Sequence, residues 1–439
     1  MSVTQRVRSA QHGNSRANEN HGRRDFLKTC VAGSMATGAL GLTDAITLNA
    51  ETLRKQGKAC ILLWMQGGPS QFETWDPKPR HGNGGETKAI GTDVSGVQIS
   101  ENFPYLSKVM SEICLIRSMT SREGSHPRAS FLMHTGYLPQ ASVKFPTLGA
   151  HVAYHLGQDD FDLPSFVRIG SRGGSSTNGG FLGVDYDPFL MQSATRMPEN
   201  TEITTSSQRY RRRLQLMDRL EKTFQEQGGV SLVQNHRKLY SQASRMVLSS
   251  QMKAFDIQQE SQSVRQAYGD GETAAGMLLA RRLVESGVPF VEVNVGNWDT
   301  HDNNFERSRE LCGRVDQPMS ALIEDLQQRG MLERTLIVWA GEFGRSPRIN
   351  GRTGRDHYPR AYCSALAGCG VHGGQVIGST NAAGTDVSDR PVGVPDFFRT
   401  IYQTLGIDAK HEYMSNVGRP ITLADEGEVV TEVFGGASS

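Results

Sequence analysis

Two short stretches bring acids and histidines together at a spacing that chemistry can use. In "NWDTHDNN", Asp299 and His301 stand two residues apart, followed by Asp302, Asn303 and Asn304. In "GRDHYP", Asp356 and His357 are adjacent. A carboxylate oxygen and an imidazole nitrogen together suit zinc, manganese or iron. The same residues also make an ordinary polar turn, because Asp and Asn favour turns after strands. A third stretch, "WAGEFGRS", sets Glu342 and Arg345 among glycines. Small neighbours let the backbone approach a ligand, and the fork of Arg345 can clamp an anionic oxygen. The plainer alternative is a surface ion pair between the two. "REGSHPRASFLMHTGY" supplies Ser125 and His126 at the start of a helix expected to end near Gly136. Ser125 reads equally as a nucleophile and as a helix N-cap. His126 reads as a metal ligand or an anion contact, since a helix start offers free N–H groups to an anion.

These residues need elements to hold them. Four apolar runs share one layout: "CILLWM" (60–65), "ICLIRSM" (113–119), "VPFVEVNV" (288–295) and "LIVWA" (336–340) each open directly into a polar loop. Each has strand length and is rich in Val, Ile, Leu or Phe. Helical patterns, "ETAAGMLLARRLVESG" and "QPMSALIEDLQQRGMLER", precede the last two runs. Helix, turn, buried strand and polar loop is the pattern of an α/β sheet covered by helices. Ligands of such sheets bind at the carboxyl ends of strands, where these acids and histidines fall. From about 205 to 285 the pattern changes to helix, with Leu214, Met217, Leu220 and Phe224 at helical spacing, so a helical insertion is expected. Arg211 to Arg213 read as a solvated helix face, and the Gly/Ser stretch at 170–183 as a surface loop.

The bulk numbers narrow the function. The 439 residues, 37% hydrophobic and 21% charged, suit a globular protein with a sizeable core. A net charge of +1 gives no basic field for nucleic acid. Residues 1–50 fall outside the fold: "GRRDFLKTCVAGSMATGALGL" places Arg23 and Arg24 before Phe26-Leu27-Lys28 and a mild apolar run. That order reads as a twin-arginine export signal, with cleavage at Ala45 or Ala50 and a periplasmic or extracellular destination. The run is short for a membrane span, so none is expected after processing. Cys60, Cys114, Cys312, Cys363 and Cys369 then remain, without CxxC spacing, and read as buried thiols with room for one disulfide.

Taken together, "GGPSQFETWDPKP", "SHPRASFLMHTGYLP", "FLGVDYDPF", "NWDTHDNN", "WAGEFGRSPRINGRTGRDHYP" and "LAGCGVHGGQVIGSTN" resemble the DUF1501 family, grouped with the alkaline phosphatase/sulfatase superfamily. The resemblance runs over about residues 58–410. It implies a three-layer α/β/α domain over 51–439, with a central, mostly parallel sheet. It also implies a two-metal pocket with a nucleophile at a helix start. His357 would ligate the first metal, joined by Asp299 and His301, with Asp356 beside them. The second site departs from the pattern: Gln66 stands where an acid is expected, and Phe343 where a histidine is. No cysteine fills the nucleophile position. The expectation is therefore a single divalent ion (zinc, manganese or calcium) in an exported hydrolase of phosphate or sulfate esters. Arg345 and the 125–128 helix start would bind the anion. The rivals are a catalytically degenerate relative that binds an anionic small molecule or glycan, and a structural or assembly partner of other exported proteins.

Overall fold

Ala59–Trp64 is apolar at every position and buried at every position, which is what a strand covered on both faces requires. In the computed structural model it is β1, the middle of the sheet. The structure describes residues 56–158, 160–170, 178–201, 205–226 and 230–436, all within one unit, Thr52–Ser439. The stretch expected to be an export signal and residues 171–177 of the Gly/Ser stretch lie outside the described residues. After β1 comes a small hairpin, β2 (Ala89–Gly91) and β3 (Gln98–Ser100), then β4 (Ile113–Thr120) and helix α1 (His126–Thr135). Helix α2 (Leu148–Leu156), β5 (Phe166–Ile169) and β6 (Phe189–Met191) follow. The helical segment contains α3 (Ser207–Glu226), α4 (Val230–Leu248), α5 (Gln262–Tyr268) and α6 (Glu272–Glu285). The chain returns through β7 (Phe290–Asn294), α7 (Asn304–Gln328) and β8 (Thr335–Ala340). It then makes β9 (Gly344–Ile349), β10 (Arg355–Tyr358), β11 (Tyr362–Ala367) and β12 (Gln375–Ile377). A short pair, β13 (Ser379–Thr380) and β14 (Val387–Asp389), precedes β15 (Val392–Gly393) and α8 (Val394–Leu405).

The sheet runs β12-β4-β11-β8-β1-β7-β5-β6, with β15 added to β4. Its pairings are parallel except at β11, which runs against both β4 and β8. Side chains alternate across the sheet, so β1 feeds two cores. Ile61 and Leu63 pack in one with Met277, Leu278 and Leu322 of α6 and α7. Leu62 and Trp64 pack in the other with Val152 of α2 and Phe397 and Ile401 of α8. Three α/β/α layers follow directly from that alternation. Burying one such aliphatic side chain contributes about 1.5–3 kcal/mol.

All four expected strands form, and three details differ from the sequence reading. The polar stretch after β8 is not a loop: it folds as the antiparallel hairpin β9–β10. Helix α7 begins at Asn304 and runs through Pro318, so it is longer than the pattern that starts at Gln317. The expected insertion also divides. Helix α6 lies under the sheet with Met277, Leu279 and Leu283 fully enclosed, whereas α3 and α4 pair with each other and leave Leu216 and Leu220 exposed. The five described cysteines are free and buried.

Candidate metal site

The sheet delivers its loops to one edge. β1, β4, β7 and β8 are parallel, so the turns that follow them meet at their carboxyl ends. β11 runs the other way, so the hairpin that precedes it arrives at the same edge. Close packing of these loops depends on Gly67. It sits at φ 115°, and a Cβ there would come within 2.5 Å of the Asp299 nitrogen. No L side chain fits both the conformation and the space. The Gly67 N–H donates to Glu342 Oε1 at 2.9 Å, which ties the β1 turn to the β8 turn.

Three histidines converge here, and each has its Nδ1 engaged by an oxygen. His126, the first residue of α1, donates Nδ1–H to Glu342 Oε1 at 2.7 Å. His301 donates Nδ1–H to Asp356 Oδ1 at 3.0 Å. His357 on β10 donates Nδ1–H to the Gly124 carbonyl at 2.8 Å. A carbonyl or carboxylate oxygen only accepts, so each neutral ring must present Nε2 as a bare lone pair. Those Nε2 atoms surround Asp299. His301 Nε2 is 3.1 Å and His357 Nε2 3.3 Å from Asp299 Oδ1, and His126 Nε2 is 3.4 Å from Oδ2. His301 Nε2 and His357 Nε2 are 3.0 Å apart. His126 Nε2 is enclosed and makes no hydrogen bond.

Arg345 Nη2 donates to Asp299 Oδ1 at 2.6 Å, but the three imidazole Nε2 atoms converge as acceptors, which fits a cation. Among the described residues, His126, Asp299 and His357 form the group whose ligand atoms all lie within 4.8 Å of one another. A carboxylate or carbonyl behind each histidine is the usual way a protein orients imidazole ligands. Phe343 cannot ligate, but its ring packs against the rings of His126 and His357, at 4.9 and 4.6 Å. The donor set, imidazole nitrogen with one carboxylate, suits zinc, manganese or iron. It does not suit calcium, which takes six to eight oxygens.

Charge follows this geometry. Burial works against the Asp299 carboxylate, yet the hydrogen bond and charge of Arg345, with His126 and His301 behind, hold it down at about 2. The hydrogen bond to Glu342 raises His126 against the opposing effect of its burial. Burial lowers His357, and the charges of Arg345 and His126 add to that. The hydrogen bond from His301 lowers Asp356.

Four residues sit differently from their expected roles. Asp356 stands behind His301 on its Nδ1 side and is largely exposed, so it supports a ring and does not face the center. Glu342 is fully buried behind His126 in the same way. Arg345 is also fully buried. Its Nε donates to the Gly68 carbonyl at 2.8 Å, Nη1 to the Arg355 carbonyl at 3.3 Å, and Nη2 to the Gly67 carbonyl and, at 2.6 Å, to Asp299. Those bonds leave it no fork to extend over an outside anion. Ser125 takes the N-cap position without a side-chain cap bond, is exposed, and has no base among its hydrogen-bond partners in the described residues.

The support around the site was not read from the sequence. Arg355 is fully buried and donates to Glu73 Oε1 at 2.8 Å and to the carbonyls of Ser346, Pro347 and Asn83. It thus pins the hairpin on which His357 pairs across from Arg345. Gly354 presses on the His301 carbonyl, where a Cβ would come within 1.9 Å. Nothing in a run of arginines distinguishes the buried anchor from the solvated ones.

Residues 57–434 match the family described as "Protein of unknown function (DUF1501)". The chain belongs to the DUF1501 family. No curated protein matches it. Among solved structures it is similar to the lipoteichoic acid synthase LtaP from Listeria monocytogenes, at 10% identity and a TM-score of 0.40, over 85% of this chain and 80% of that one. It is also similar to the PsFucS1 sulfatase from Pseudoalteromonas sp., at 15% identity and 0.39, over 82% and 71%. A third is the phosphonate monoester hydrolase of Agrobacterium radiobacter, at 10% identity and 0.38, over 87% and 78%. These are loose likenesses of fold.

Proposed function

We propose that this protein is an exported hydrolase of phosphate or sulfate esters that uses one divalent ion. The reading rests on one observation: three imidazoles with Nδ1 engaged by oxygens turn their Nε2 atoms onto a single carboxylate, Asp299. His126, Asp299 and His357 would hold the ion, and zinc or manganese fits them better than calcium. When bound, the ion would supply Lewis acidity toward an ester oxygen. Glu342 and the Gly124 carbonyl fix the rings of His126 and His357. His301, backed by Asp356 at 3.0 Å, is the proton carrier: it can take or give a proton at Nε2. Its ring is about one-third exposed, so a substrate can reach it. Export through the twin-arginine signal at Arg23-Arg24 would bring the folded chain to anionic small molecules or glycans outside the cytoplasm. Among the described residues no helix is long and apolar enough to cross a membrane.

Two observations favour a second reading, cation-dependent binding without turnover: among the described residues Ser125 has no base, and Arg345 is enclosed. The deciding experiment measures metal content in the processed protein and in an Asp299→Ala/His357→Ala variant, then turnover of aryl phosphates and sulfates. About one ion per chain, lost in the variant, with ester turnover that needs His301, supports the hydrolase. An ion without turnover supports the binding reading. No ion after reloading sinks both.

A further inference from the structure

We infer that the guanidinium of Arg345 is a built-in cation that fills the place of a second ion, so that the site admits one divalent ion and no more. This rests on the cation reading above. The carbonyls of Gly67, Gly68 and Arg355 and Asp299 Oδ1 all accept from the guanidinium. Three backbone carbonyls and a carboxylate oxygen make an all-oxygen cage, of the kind a hard cation takes. The cage lies where the β1 turn, the β7 loop and the β9–β10 hairpin meet, beside the ligand group. It shares Asp299 with that group: Oδ1, which also lies 3.3 Å from His357 Nε2, accepts from Arg345, while Oδ2 faces His126. Asp299 therefore bridges two positive positions, one filled by the chain itself.

Residue types nearby agree. Gln66 and Phe343 give the β1 and β8 turns no charged ligand, and Glu342 is occupied by His126 and Gly67. A second ion would have to displace a fully buried arginine from its cage. The arginine also sets the charge of the site. Against Asp299, Glu342 and Asp356 it leaves two formal negative charges, which one divalent ion would neutralise and two would overshoot. A merely structural arginine would tie the loops together but leave the ion count and affinity unmoved.

The test is metal stoichiometry on the whole processed chain, by calorimetry with Mn2+ and by paramagnetic resonance at saturation. The wild type should bind one Mn2+ with an uncoupled signal. Arg345→Gln should bind the first ion at least tenfold more tightly, because a positive charge beside its ligand is gone, and should admit a second. Arg345→Lys should restore one. A folded Arg345→Gln protein with unchanged stoichiometry and affinity overturns the inference. If that variant does not fold, the wild type decides alone: a spin-coupled pair of ions overturns the inference, and a single uncoupled ion at millimolar Mn2+ supports it. No ion in the wild type would instead overturn the cation reading itself, which is a distinguishable result.

Discussion

Glu342 uses one oxygen for two bonds, to His126 Nδ1 and to the Gly67 N–H, and its other oxygen is buried without a partner. It can therefore be weakened without removing a ligand. Glu342→Gln keeps the shape but gives up the charge that makes His126 a strong donor. The expected result is a loss of about 10–100-fold in cation affinity, the usual effect of removing a supporting carboxylate. Competition titration with a chromophoric chelator measures it, and unchanged affinity would show that His126 is not a ligand. Ser125→Ala makes the opposite prediction. Among the described residues its hydroxyl has no base, so metal content and any ester turnover should stay within about twofold of wild type. A large loss of turnover with full metal content would restore Ser125 as a nucleophile. The sequence left Ser125 as cap or nucleophile because an N-cap and an activated serine look alike in one dimension.

The hairpin β9–β10 is the element on which the site depends, and a buried ion pair anchors it. Arg355 and Glu73 are both fully enclosed. Arg355→Met would leave Glu73 charged and unpaired, which costs about 3–5 kcal/mol, whereas the double change with Glu73→Leu should be far milder. Urea unfolding across the four combinations measures the coupling, and additive effects would show that the pair is not an anchor. Helix α7 offers a pH test away from the site. Asp316 accepts the N–H groups of Tyr105 and Leu106 at 2.9 and 2.8 Å, yet burial outweighs those bonds and raises it to about 6. A raised acid binds its proton more tightly when folded than when unfolded, near 3.9. Its stabilising contribution is thus complete below about pH 4 and lost as pH rises through about 6. Relative to Asp316→Asn, the wild type should gain roughly 3 kcal/mol on acidification across that window, and a flat difference would refute the shift. These elements also show where sequence reading stopped. β1, β4, β7 and β8 were legible because strands buried on both faces are continuous apolar runs. β9 and β10 were not, because "GRSPRI" and "RDHY" have no alternation: Arg345, Arg355 and His357 bond to the turns around them instead of packing in a core. The acids and histidines were legible by position at strand ends. Their order, ligand in front and carboxylate behind, depends on distances that no spacing encodes.

At the scale of the whole molecule, a cation that binds the folded chain must also stabilise it. The proposed ligands come from β4–α1, the β7 loop and the β9–β10 hairpin, so the unfolded chain cannot present them together. Linkage then sets the size of the effect: an ion at 100 times its dissociation constant adds about 2.7 kcal/mol. Melting followed by dye fluorescence should show a rise of a few degrees with zinc or manganese, a return with chelator, and a much smaller response to calcium. Asp299→Ala should melt at the same temperature with and without ion. A calcium response equal to zinc's would mean that oxygens, not imidazoles, hold the ion. Export connects to the same linkage. If Arg23-Arg24 direct export by the twin-arginine route, which accepts folded chains, the ion would be bound before the protein leaves the cytoplasm. Replacing Arg23 and Arg24 by lysines should leave a protein that is retained in the cytoplasmic fraction, folded and loaded to the same ion content as the exported form. Retention of an empty chain would place metal loading after export, and undiminished export would remove the signal assignment. The two outcomes act on different segments of the chain, so the site and the signal are tested separately by one pair of fractions.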